Sequence, residues 1–145
     1  MIHVQTEDFD AGALLNGLLN DPAAGAVATF TGTVRDDSGT LTALTLEHYP
    51  GMTEKQLQAL EDDARRRWPL SDVVIIHRYG RLIPGDRIVF VGTRAAHRAD
   101  AFAACEFLMD WLKTRAPFWK QEQYGDRQTW VEAKASDDTA ADRWS

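Results

Sequence analysis

The chain has 145 residues, 44% of them hydrophobic, and a formal net charge of −6. That length fits one compact domain or two small subdomains, and the apolar fraction supports a true core. The acidic balance argues against a general nucleic-acid binder, and the lone Cys105 excludes an intramolecular disulfide or a cysteine-built zinc site.

Residues 1–10 contain no basic segment followed by an apolar run, so a secretory leader is not expected. No apolar stretch approaches the roughly 20 residues needed to span a bilayer. No membrane contact is expected, and the cytoplasm is the simplest compartment. Any anion site must come from local clustering of Lys and Arg.

Ile2 to Gln5 is a short candidate strand. Phe9 to Leu19 carries Leu14, Leu15, Leu18 and Leu19 at helical spacing, and Pro22 ends that helix. Gly25 to Val34 is rich in Val, Thr and Phe and reads as a strand. The turn cluster 36–39 and a returning strand over 41–49 predict a hairpin with it.

Thr53 to Trp68 reads as a surface helix. Thr53 and Gln56 have capping-box spacing, and Leu57, Leu60, Ala64 and Trp68 form the buried stripe. Arg65, Arg66 and Arg67 suit its last turn, and Pro69 stops it. Val73 to Tyr79 is a strand, residues 84–86 a tight turn, and Arg87 to Thr93 a strand apolar on both faces, hence central.

Asp100 to Lys113 is a helix apolar over most of its circumference. Phe102, Cys105, Met109 and Leu112 make one stripe, and Ala101, Ala104, Leu108 and Trp111 the next. Such a helix is largely buried. Pro117 ends it, and Trp130 to Lys134 is a last short strand. A single domain over 1–136 with a polar tail over 137–145 follows. Helices mixed with hairpins indicate α+β, and the lack of a Gly-rich phosphate loop argues against a nucleotide fold.

The chemistry concentrates between Ala96 and Glu122. His97 and Arg98 precede a helix start, where free N–H groups favour anions; the plainer reading is ordinary solvated residues beside a cap. Lys113 ends the same helix, as a site residue or as the partner of Asp110 three residues earlier. The segment 114–120 joins two cations, a proline and the adjacent aromatics Phe118 and Trp119. It either closes the core or lines a site. Arg35 ends a strand, where its forked head could clamp a phosphate or simply meet solvent. Cys105 reads as inert packing within a buried helix. His3, His48, His77 and His97 lack metal-ligand spacing, so neither a metal nor a resident cofactor is expected.

Seven stretches together carry a family resemblance. They are T-F-T-G-T-V-R at 29–35, L-T-L-E-H-Y-P-G-M-T-E-K at 44–55, R-W-P-L at 67–70 and P-G-D at 84–86. A-H-R at 96–98, F-L-M-D-W-L-K-T-R-A-P-F-W-K at 107–120 and W-V-E-A-K at 130–134 complete the set. In that order, over essentially the whole chain, they resemble the molybdopterin synthase large-subunit family.

The resemblance implies an α/β hammerhead-type fold with antiparallel sheet, and a homodimer that binds a small ubiquitin-like sulfur-carrier subunit to give a heterotetramer. That partner's C-terminal Gly-Gly, carried as a thiocarboxylate, would enter a pocket on this chain. The implied substrate is cyclic pyranopterin monophosphate (precursor Z), which gains two sulfurs to form the dithiolene of molybdopterin. Matching positions put Lys113 and Lys120 in the catalytic pocket. They put Thr33, Val34, Arg35, His97, Arg98, Gln121 and Glu122 at substrate-binding positions, with Phe30 and Met109 lining the pocket. Lys134 stands where relatives often have arginine, and Thr33 where some have lysine. A cationic pocket in an acidic chain would suit both a phosphate and a charged tail. The alternative is a non-catalytic adaptor that clamps a ubiquitin-like tail.

Overall fold

The computed structural model describes residues 1–131 and 135–144. In chain order the elements are β1 (Ile2–Gln5), α1 (Ala11–Leu18), β2 (Ala26–Thr33), β3 (Ala43–His48), α2 (Met52–Arg67) and β4 (Leu70–Arg78). They continue with β5 (Gly80–Leu82), β6 (Arg87–Ala95), α3 (Arg98–Thr114), β7 (Phe118–Tyr124), β8 (Arg127–Val131) and α4 (Ala135–Asp142). One sheet has the order β1-β4-β6-β2, and the other β5-β3-β7-β8. Every pairing is antiparallel except β1 with β4. This is the expected α+β class.

The first sheet is buried on both faces because its central strands alternate apolar residues to each side. Val73 and Ile75 of β4, with Val89 and Val91 of β6, pack under α2 and α3. Val74, Ile76 and Phe90 point the other way and meet Phe9 and Leu18 around α1. Gly92 permits that closeness: a Cβ there would sit 2.5 Å from the Leu18 Cδ1. A smaller core of Val34, Leu44, Leu46 and Leu82 supports the second sheet.

The expected hairpin between residues 25–34 and 41–49 does not form. Strand β2 pairs with β6, whereas β3 pairs with β5 and β7 in the other sheet. The cause is local. Val34 donates its N–H to the Asp86 carbonyl and accepts from Gly85, which ties the strand's exit to the β5–β6 turn. The Asp36 carboxylate then accepts from the Gly39 and Leu41 N–H groups and the Ser38 hydroxyl, turning the chain towards the second sheet.

Three further details differ from the sequence reading. The N-cap of α2 is Gly51, whose N–H bonds the Glu54 carboxylate at 2.7 Å. Thr53 is instead buried, its hydroxyl donating to the Tyr49 carbonyl. On α3, Phe102 is 66% exposed while Phe107 is fully buried, so the helix faces the core about one position round from the predicted stripe. Residues 135–142 form α4 where a polar tail began in the sequence reading. Trp144 follows it and packs edge-on against Trp68 and Phe107.

Among the described residues no helix is long and apolar enough to cross a membrane.

Candidate active site

The last turns of α3 run past the ends of β2, β4 and β6 and hand the chain to β7. These elements enclose a cavity of about 150 Å³. Helical spacing sets one wall: Met109, Leu112 and Lys113 lie three and four residues apart on one face of α3. Strand spacing sets another, because Phe118 and Lys120 are two apart on β7 and project to the same side. Thr33 closes the end of β2, and His77 enters from β4.

The adjacent aromatics of the 114–120 segment therefore separate. The Phe118 ring turns inward, parallel to the His77 imidazole, with centroids 3.8 Å apart. The Trp119 ring turns to the other face, against Tyr49, and its indole N–H bonds the Glu47 carboxylate at 3.1 Å.

The two lysines thus share one cavity, as the sequence reading required of them. Lys113 is exposed at its mouth and Lys120 is half-buried. Asp110 does not hold Lys113. Its carboxylate bonds the Arg143 guanidinium at 2.9 Å and the Trp144 indole N–H at 2.5 Å.

The other predicted residues are distributed around this centre. Val34 is buried, with both backbone groups spent on the β5–β6 turn, so its side chain serves the core and its place in the chain aims Thr33 and Arg35. Arg35 is exposed and pairs with Asp37 at 2.8 Å. Glu122 lies on the same side of β7 as Lys120, where the Tyr124 hydroxyl donates to its carboxylate. Gln121 is on the opposite side, between Thr45 and Trp130 in the ladder.

His97 and Arg98 start α3 and are exposed. A helix of 17 residues is about 25 Å long, so they lie a helix length from Lys113 in the same chain. Lys134 lies outside the described residues.

Met109 also borders a second, apolar groove of about 640 Å³ between β2 and α3, together with Phe30, Phe102 and Cys105. Phe30 is 40% exposed there. Burial, then the Glu106 charge, pushes the Cys105 thiol up to about 11, which keeps it protonated and unreactive near neutral pH.

Sequence reasoning missed His77. Burial pulls its pKa down to about 4, opposed by the bond to the Arg78 carbonyl and reinforced by Lys120 and Lys113. The signal was faint: a histidine inside the apolar run V-V-I-I-H. Among the described residues no cluster of three or more His, Cys, Asp or Glu could hold a metal ion. The arrangement can bind an anion, donate or accept protons through lysine, and enclose a flat heterocycle between Phe118 and the aliphatic walls.

Residues 4–115 match the model of the family described as MoaE protein. The molybdopterin synthase catalytic subunit of Cereibacter sphaeroides is 54% identical over 142 residues, covering 97% of each chain. That of Escherichia coli K12 is 54% identical over 145 residues, covering 99% of this chain and 97% of its own. Among solved structures, the molybdopterin biosynthesis MoaE protein of Burkholderia ambifaria superposes with a TM-score of 0.84 at 54% identity, over 99% of this chain and 97% of that one. Molybdopterin synthase from Staphylococcus aureus gives 0.82 at 30% identity, over 90% and 96%.

Proposed function

The chain belongs to the MoaE family of molybdopterin synthase catalytic subunits, and from that premise we propose that the cavity between α3 and β7 is where sulfur is transferred to precursor Z. The chain is the sulfurtransferase subunit. Its partner is the small ubiquitin-like carrier, whose C-terminal thiocarboxylate brings the sulfur. The observation that carries the site assignment is the meeting of Lys113 and Lys120 in one cavity from two different elements.

Lys113 at the mouth is the group that moves protons as the pterin ring opens and sulfur attacks. Lys120, deeper on β7, orients the substrate and stabilises developing negative charge. Thr33 and Arg35, at the exit of β2, hold polar and phosphate groups, with Glu122 contributing from the Lys120 side of β7, while Gln121 faces away from the cavity on that strand. Phe30 and Met109 give the apolar rim. The protonated Cys105 is consistent with sulfur that arrives on the partner rather than on this chain.

His97 and Arg98 join this site from a second copy of the chain. Their distance along α3 argues against their serving the cavity of their own chain. The free edge of β2 and the adjoining groove, with Phe30 and Phe102 exposed, offer the surface for that homodimer. The cytoplasm is the proposed compartment, because a thiocarboxylate persists best where thiols are kept reduced.

The test mixes the purified chain with thiocarboxylated carrier and precursor Z and follows the dithiolene product by mass spectrometry. Product that depends on both components is the expected result. Carrier binding without conversion would return the chain to the adaptor reading.

A further inference from the structure

His77 is a titratable side chain of the cavity to which the resemblance gives no role. Its Nδ1 lies 2.8 Å from the Arg78 carbonyl oxygen. A carbonyl only accepts, so Nδ1 carries the proton and the neutral ring presents a lone pair at Nε2. The parallel Phe118 ring at 3.8 Å and 15° fixes the plane of the imidazole. The residue is 6% exposed, yet it lines the cavity, and no hydrogen bond reaches Nε2 among the described residues.

The surrounding chemistry gives that lone pair a purpose. Lysine ammonium groups are donors without acceptor capacity, so Lys113 and Lys120 suit the carbonyl and phosphate oxygens of a ligand. A reduced pterin also carries ring and amino N–H donors, and a buried donor without a partner weakens binding. Thr33 and Thr114 can accept only through hydroxyls that rotate, the Thr114 proton being held by the Asp110 carbonyl. A fixed imidazole acceptor completes the set.

Building on the proposed function, we infer that His77 is a substrate-binding residue whose Nε2 accepts a hydrogen bond from an N–H of the bound pterin. Its pKa near 4 keeps the lone pair available at neutral pH and makes the ring a poor base, so the role is recognition and not proton transfer.

Two substitutions separate this role from packing. His77→Asn keeps a donor for the Arg78 carbonyl and removes the acceptor at the Nε2 position. His77→Gln restores an amide acceptor near that position. Precursor Z alone is titrated into each variant, and turnover is then measured with carrier. The expected result for His77→Asn is a roughly tenfold rise in Kd and KM for precursor Z, with smaller change in kcat and unchanged carrier affinity. His77→Gln should recover most of the loss.

A wild-type Kd in His77→Asn, or a defect that falls on carrier affinity, would overturn the inference. Should the variants not fold, ¹⁵N-histidine-labelled wild type decides. The Nε2 resonance must move when precursor Z saturates the site, and a stationary resonance rejects the contact. Wild-type protein that makes no dithiolene counts against the proposed function instead, which keeps the two failures apart.

Discussion

The imidazole of His77 and the ring of Phe118 lie 15° from parallel, joining the two sheets of the fold at the floor of the cavity. The contact has a consequence for acid stability. Burial, helped by Lys120 and Lys113, lowers the folded pKa of His77 from 6.5 to about 4, so between these values the unfolded chain binds more protons. Stability is therefore full above about pH 6.5 and falls as pH drops towards 4, by about 3 kcal/mol from this group. Urea unfolding across that window should show a steeper pH dependence for wild type than for His77→Asn. Equal slopes would refute it. Asp8 acts in a lower window: its hydrogen bond to Arg87 holds it at about 2, and its contribution, present above 3.8, is lost as pH falls through 2.

Replacing either lysine should separate chemistry from folding. Lys113→Ala is expected to lower kcat by on the order of 10²–10⁴. Its melting temperature should hardly change, since the side chain is exposed. Lys120→Ala should raise KM as well as lower kcat. Steady-state kinetics beside thermal melts check both, and a Lys113→Ala variant with normal turnover would remove the residue from the mechanism.

A site shared between two copies makes a sharp prediction about mixtures. Lys113→Ala and Arg98→Ala should each be impaired as pure homodimers. Unfolded together and refolded at equal amounts, they should regain about a quarter of wild-type turnover, because half the dimers are mixed and each mixed dimer holds one intact site. Persistent inactivity would place Arg98 outside the shared pocket.

The helix at the C-terminal end is a structural clamp on α3. Phe107 is fully buried and meets Trp68 at 5.4 Å and Trp144 at 5.7 Å between ring centroids. Phe107→Ala should cost about 3–5 kcal/mol, and Trp144→Ala about 3 kcal/mol, in chemical denaturation. The second change also strips a hydrogen bond from Asp110.

What the sequence revealed followed the range of the interactions. Helix α2 and strands β4 and β6 were legible because their periodicity is local, and β6 read as central because both its faces are apolar. The false hairpin arose from two β-rich runs flanking a turn cluster. The real partner of β3 is β7, whose Gln121 faces Thr45 across 76 positions of chain, and no local pattern announces that. Strand β7 itself was hidden because Lys120, Gln121 and Glu122 are polar and only its alternation with Phe118 betrays it. Helix α4 was hidden because Ala141 and Trp144 carry its anchoring among charged neighbours. Lys113 and Lys120 could be named from family motifs, but their meeting in space needed the turn at 115–117. His77 drew attention only as a histidine without metal-ligand spacing, since a histidine in an apolar strand reads as packing until its neighbours are known.

That short turn carries a constraint of its own. On its upstream side, facing is decided every three or four residues; downstream it is decided by odd or even count. Inserting one residue between Thr114 and Phe118 would send Lys120 to the outer surface and bring Trp119 inward, while leaving every side chain chemically intact. Point changes in this stretch keep that count, whereas a change in its length by one alters it. The meeting of Lys113 and Lys120 in one cavity thus depends less on the identity of the intervening residues than on their number.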